Sequence, residues 1–106
     1  MMDECRKRDE SLNKKSILIV EDEAIFAMDL KATLEEMGYF VSDIFPRGEQ
    51  AIDHCKKELP DLILMDIRLA GRLNGVETAK EIHKDNSVPI LFQTAHADME
   101  TLEQAK

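Results

Sequence analysis

The sequence predicts a doubly wound α/β domain, a parallel sheet with helices on both faces, because from Lys15 onward short apolar runs of strand length alternate with segments of helical spacing. Two of these runs, Ile17-Leu18-Ile19-Val20 and Leu62-Ile63-Leu64-Met65, are continuous rather than alternating. That is the pattern of strands buried on both faces. Acidic residues close both runs, Glu21-Asp22 after the first and Asp66 after the second. A carboxylate at the end of a buried strand is costly unless a charge meets it.

The elements follow in order. Ser16 to Val20 reads as a strand. Glu23 to Met37 carries Phe26, Leu30, Leu34 and Met37 at helical spacing, and Gly38 stops it. Tyr39 to Phe45 is rich in strand-forming residues and is broken by Pro46 and Gly48. Ala51, Ile52, Cys55 and Leu59 mark a second helix, ended by Pro60. Asp61 to Met65 is a third strand, and Ala70 to Gly75 a loop with two glycines. Val76, Ala79 and Ile82 mark a third helix. Val88 to Phe92 is a fourth strand, with Pro89 near its start, where proline is tolerated. Asp98 to Lys106 reads as the beginning of a fourth helix. Residues 1–14 read as a flexible polar leader and 15–106 as the domain.

A chain of 106 residues allows one domain, and a hydrophobic content of 43% allows one small core. The net charge of −8 argues against nucleic acid or an anionic membrane as the main partner. No apolar run approaches the roughly 20 residues that span a bilayer. The N-terminus lacks the apolar stretch of a signal peptide. Cys5 and Cys55 have no CxxC partner and read as free thiols of a cytoplasmic protein.

Parallel sheets of this kind bind ligands beyond the carboxyl ends of their strands. Glu21, Asp22, Asp66 and Thr94 all fall there. Mutual repulsion among such carboxylates raises their pKa values until a cation arrives. Oxygen ligands without His or Cys suit Mg²⁺ rather than zinc or copper. With the cation in place one carboxylate can act as a nucleophile toward phosphorus. Thr94 can donate its hydroxyl to a phosphoryl oxygen. Each residue alone also has an ordinary reading. An acidic pair after a strand suits the start of a helix. Asp66 suits an N-cap or turn, and Thr94 a strand-end hydroxyl. Only their joint placement favours a site.

The segments Ile17-Leu18-Ile19-Val20-Glu21-Asp22-Glu23, Leu64-Met65-Asp66-Ile67-Arg68-Leu69 with the loop to Asn74-Gly75-Val76-Glu77, and Pro89-Ile90-Leu91-Phe92-Gln93-Thr94-Ala95 together resemble a response-regulator receiver domain of the CheY-like type. The resemblance implies a three-layer, flavodoxin-like fold with strand order 2-1-3-4. It implies a phospho-accepting module of a two-component phosphorelay, with Asp66 as phospho-acceptor and Thr94 as switch hydroxyl. Mg²⁺ would be held by Glu21, Asp22, Asp66 and the backbone carbonyl of Arg68. The implied donor is a sensor histidine kinase, a phosphotransfer protein or a small acyl phosphate. Receivers continue through a fifth strand and helix, and a lysine after that strand reaches the phosphoryl group. This sequence stops at Lys106, and no lysine in it matches. Two expectations follow. The fourth strand is an open edge and part of the apolar surface around Phe26, Leu30 and Leu34 is exposed, so the chain forms a homodimer or larger assembly through its fourth strand and first helix or is marginally stable, unless the 106 residues are a fragment of a longer natural chain.

Two other functions compete. A degenerate receiver would act as a constitutive interaction or dimerisation module. A turnover phosphatase would need a second acid near Asp66, and Ile67-Arg68 offers none. His96 reads as an exposed loop residue, and His54 and His83 as partly solvated helix residues.

Overall fold

The computed structural model describes residues 14–93. The expected leader (Lys14 apart), Thr94, His96 and the helix expected over 98–106 lie outside the described residues. Four strands and three helices alternate: β1 (Ser16–Val20), α1 (Ala24–Glu36), β2 (Phe40–Phe45), α2 (Gly48–Lys57), β3 (Leu62–Asp66), α3 (Gly75–Asp85) and β4 (Ile90–Gln93). The strands pair in parallel in the order β2-β1-β3-β4, as the resemblance implied.

The continuous apolar runs have the expected cause. Alternate residues of β1 and β3 enter two separate cores. Leu18, Val20, Ile63 and Met65 pack with Ala51 and Cys55 of α2 and Ile82 of α3. Ile17, Ile19 and Leu64 pack on the other face with Ala27 of α1 and Val41 of β2. Burying each large side chain contributes about 1.5–3 kcal/mol, so these strands anchor the fold.

α1 ends in a Schellman motif. Gly38 adopts φ +97°, its N–H bonds the Glu35 carbonyl at 3.1 Å, and the Tyr39 N–H bonds that of Leu34 at 3.0 Å. The surface around Phe26, Leu30 and Leu34 is uncovered only in part. All three are half-buried, and Leu30 and Leu34 pack on the α1-side core. The most exposed apolar residues of this segment are Ile25 and Met28, on the outer flank of α1, and Met37 at its C-cap.

Two boundaries also shift. α2 stops at Lys57, before the expected Leu59, which is exposed. Pro60 disfavours helical backbone at Leu59, and Glu58 is already extended. β4 begins at Ile90 rather than Val88. Pro89 has no N–H to offer, and its carbonyl instead accepts the Ile63 N–H at 3.0 Å.

The two edges of the sheet differ. In β2, Ile17 pairs with Val41 and Leu18 with Asp43, so Ser42 is an extra, bulged residue. β4 has one strand neighbour among the described residues, and Leu91 and Phe92 are exposed on it. Beside it, on the α1 side, runs an apolar groove of about 580 Å³ lined by Ile17, Leu34, Tyr39, Leu62, Leu64 and Leu91. Among the described residues no helix is long and apolar enough to cross a membrane.

Candidate metal centre

The adjacent strands β1 and β3 pair Val20 with Met65, so the next residues of each, Glu21 and Asp66, emerge side by side. Glu21 continues the β1 line, its N–H bonding the Phe45 carbonyl at 2.8 Å. Asp66 is the last residue of β3, inside the ladder opposite Gln93, rather than just past the strand. Carboxylate oxygens of Glu21, Asp22 and Asp66 all lie within 4.8 Å of one another. Glu21 and Asp66 are buried, at 1% and 0% exposure, and Asp22 is more open to solvent.

Each buried carboxylate has one satisfied and one orphaned oxygen. The Glu23 N–H donates to Glu21 Oε2 at 2.9 Å, and the Arg68 N–H donates to Asp66 Oδ1 at 3.2 Å. Glu21 Oε1 and Asp66 Oδ2 are buried with no hydrogen-bond partner. Burial pushes the Glu21 carboxyl up to about 8, with neighbouring Asp66 and Asp22 adding to the rise and the Glu23 amide opposing it. Among the described residues no Lys or Arg is ion-paired with any of the three. Two buried, partnerless oxygens with a third carboxylate beside them fit a divalent cation, and an all-oxygen donor set suits a hard one.

The loop after Asp66 is fixed from α3. Gly75 packs so closely that a Cβ there would collide with the Asp66 carbonyl oxygen, and its N–H bonds the Ile67 carbonyl at 2.8 Å. Asn74 caps α3 by accepting the Glu77 N–H at 2.8 Å, and Glu77 Oε1 returns the bond to the Asn74 N–H at 3.0 Å. Thr78, fully buried, donates its hydroxyl to the Asn74 carbonyl at 2.8 Å. The Ile67 N–H bonds the Gln93 carbonyl at 3.0 Å and ties the loop to β4.

Of the residues expected to act together, Glu21, Asp22 and Asp66 converge, and Arg68 joins them through its N–H. Thr94 lies outside the described residues. The positioning roles of Gly75, Asn74, Glu77 and Thr78 were missed, although the sequence signals a capping box in Asn74-x-x-Glu77.

A parallel sheet that gathers carboxylates where its strand order reverses belongs to the α/β proteins that bind ligands at a topological switch point. The model of the response regulator receiver domain matches residues 17–106, and the chain belongs to that family. The transcriptional regulatory protein PdtaR of Mycobacterium tuberculosis is 34% identical over 92 residues, covering 87% of this chain and 44% of PdtaR. The chain thus spans less than half the length of that relative. The receiver domain of a modulated diguanylate cyclase from Desulfovibrio desulfuricans superposes with a TM-score of 0.74 at 41% identity, covering 86% of this chain and 73% of that one. The anti-anti-sigma factor PhyR of Bartonella quintana, solved in complex with the anti-sigma factor NepR, gives a TM-score of 0.72 at 30% identity, over 83% of this chain and 36% of PhyR.

Proposed function

We propose that this chain is a phospho-accepting receiver module. Asp66 is the acceptor. One of its carboxylate oxygens attacks the phosphorus of a phosphohistidine on a sensor kinase or phosphotransfer protein, or of a small acyl phosphate. A bond forms between that oxygen and phosphorus, and the bond from phosphorus to the donor nitrogen or oxygen breaks. The donor leaves with the electron pair, as a histidine that takes up a proton or as a free carboxylate. Glu21, Asp22, Asp66 and the Arg68 carbonyl would hold Mg²⁺, whose charge offsets that building on the phosphoryl oxygens. Thr94 is the hydroxyl that follows the phosphoryl group.

The observation that carries this reading is the pair of orphaned oxygens, Glu21 Oε1 and Asp66 Oδ2, buried beside Asp22. An ordinary helix start or turn would leave neither buried. The phosphoryl group brings about −1.5 to −2 of charge in place of the single charge of the carboxylate, and this change at the sheet edge is enough to bias a loop between two positions. The module then signals in the cytoplasm by changing which partner it binds, and it is not a turnover enzyme. A protein partner is the output that the PhyR–NepR complex exemplifies.

Incubation with acetyl phosphate and Mg²⁺ is expected to add one phosphoryl group by intact mass. The adduct should need Mg²⁺ and be lost in Asp66→Asn. A folded chain that takes up no phosphoryl group would instead be a degenerate receiver.

The β4 edge, which has a single strand neighbour among the described residues, and the groove beside it support a homodimer through β4 and α1. Ile90, Leu91, Phe92 and Gln93 carry no charge that would repel a second strand. Light scattering should show a mass above the monomer at high concentration. A well-folded monomer under those conditions refutes the dimer.

A further inference from the structure

The geometry points to Arg47 and Glu49, at the junction of β2 and α2, as positioning residues that hold the loop after Asp66 in place for cation binding. This rests on the reading of that loop as a ligand-bearing one.

The loop 67–74 carries the Arg68 carbonyl, and α3 fixes only its two ends, through Ile67 and Asn74. Its middle is held from a different element. Ala70 forms an isolated parallel bridge with Arg47, outside the named strands. The next residue, Gly71, adopts φ +95° and sits between two side chains. A Cβ there would lie 3.2 Å from Glu49 Oε2 and 3.3 Å from an Arg47 guanidinium nitrogen. The two side chains therefore flank Gly71 and leave little room for the loop to rise. Glu49 Oε1 is buried with no hydrogen-bond partner, so this carboxylate is held in the contact at a cost.

The junction is itself braced. The Arg47 N–H bonds Gln50 Oε1 at 3.2 Å. Gly48 is buried so tightly under Thr78 that a Cβ there would strike the Thr78 hydroxyl. Thr78 in turn holds the Asn74 carbonyl at the loop's far end. Three consecutive residues of the junction thus press on the loop and on the helix that ends it. A carbonyl ligand on so short a loop is only as well placed as the loop. Groups that orient ligands without touching the cation typically change metal affinity by about 10–100-fold when removed.

The test is Mg²⁺ titration by calorimetry on the unaltered chain, Glu49→Ala, Glu49→Gln and Gly71→Ala, each checked for folding by circular dichroism. Glu49→Ala is expected to weaken Mg²⁺ binding about tenfold in a folded chain, and Glu49→Gln, which keeps the shape of the contact, to restore it. Gly71→Ala should weaken binding from the loop side. Unchanged affinity in folded Glu49→Ala overturns the positioning role. If neither alanine variant folds, the contact is structural and the role is likewise lost. No Mg²⁺ binding by the unaltered chain would overturn the cation site itself, and the positioning role of Arg47 and Glu49 with it.

Discussion

Mg²⁺ is expected to raise the thermal midpoint of this chain, and Asp66→Asn to abolish the rise while stabilising the cation-free protein. Without the cation, Glu21 and Asp66 each keep a buried oxygen that nothing bonds. A cation that meets both, together with Asp22, stabilises only the folded state. At a hundredfold excess over its dissociation constant that contribution is about 2.7 kcal/mol. For a domain of this size each kcal/mol moves the midpoint by about 4–8 °C. Asparagine at position 66 removes one of the crowded acids and adds an N–H₂ donor within reach of the Glu21 carboxylate. The cation-free variant should gain about 2 kcal/mol, within the range for relieving an unsatisfied buried polar group. Its midpoint should then ignore Mg²⁺. Calorimetric melting with Mg²⁺ or with a chelator measures both effects, and equal Mg²⁺ shifts in the two proteins would remove Asp66 from the site.

The second large effect is a pH dependence with an unusual sign. In the folded, cation-free chain Glu21 keeps its proton up to about pH 8, against an ordinary value of 4.5. Between those values the folded state binds more protons than the unfolded one. Unfolding releases a proton, and stability falls as pH rises, by at most about 1.4 kcal/mol per pH unit. The contribution is fully present below pH 4.5 and is lost through pH 8. Glu21→Gln should flatten the slope. Saturating Mg²⁺ should flatten it too, because the cation favours the ionised carboxylate, and Mg²⁺ affinity should accordingly rise with pH. Urea unfolding at several pH values, with and without Mg²⁺, reads the slope directly. A cation-free slope of the opposite sign would mean that Glu21 is ionised in the fold.

The strands and the acidic triad were legible because the continuous apolar runs have the length of strands, too short for buried helices, and charged residues bound them. Ile17 through Val20 reads on length as a central strand, and its end places Glu21. The helix ends were read less well where a local rule competed with apolar spacing. Leu59 has helical spacing, yet Pro60 overrides it, and Pro89 delays β4 in the same way. The strong exposure of Ile25 and Met28 was not legible, because a half-covered helix carries apolar residues on more than one side and these two lie off the simple stripe. Least legible were contacts made by glycines. Nothing local in Gly75 or Gly48 announces that another backbone or side chain lies where a Cβ would be. Such contacts depend on distant residues, Asp66 and Thr78, that only the fold brings near.

The bulge at Ser42 has a consequence for how copies of this chain can assemble. It breaks the even ladder on the β2 side, and Asp43 stands exposed there, so that edge makes a poor template for a further strand. Among the described residues only β4 offers an uncharged one. A sheet with one such edge can join one other copy through it, and a two-fold pairing of β4 with β4 then uses up both. Of the four described strands, then, β4 lets the sheet double, while β2 offers no second seat from which it could grow into a fibre.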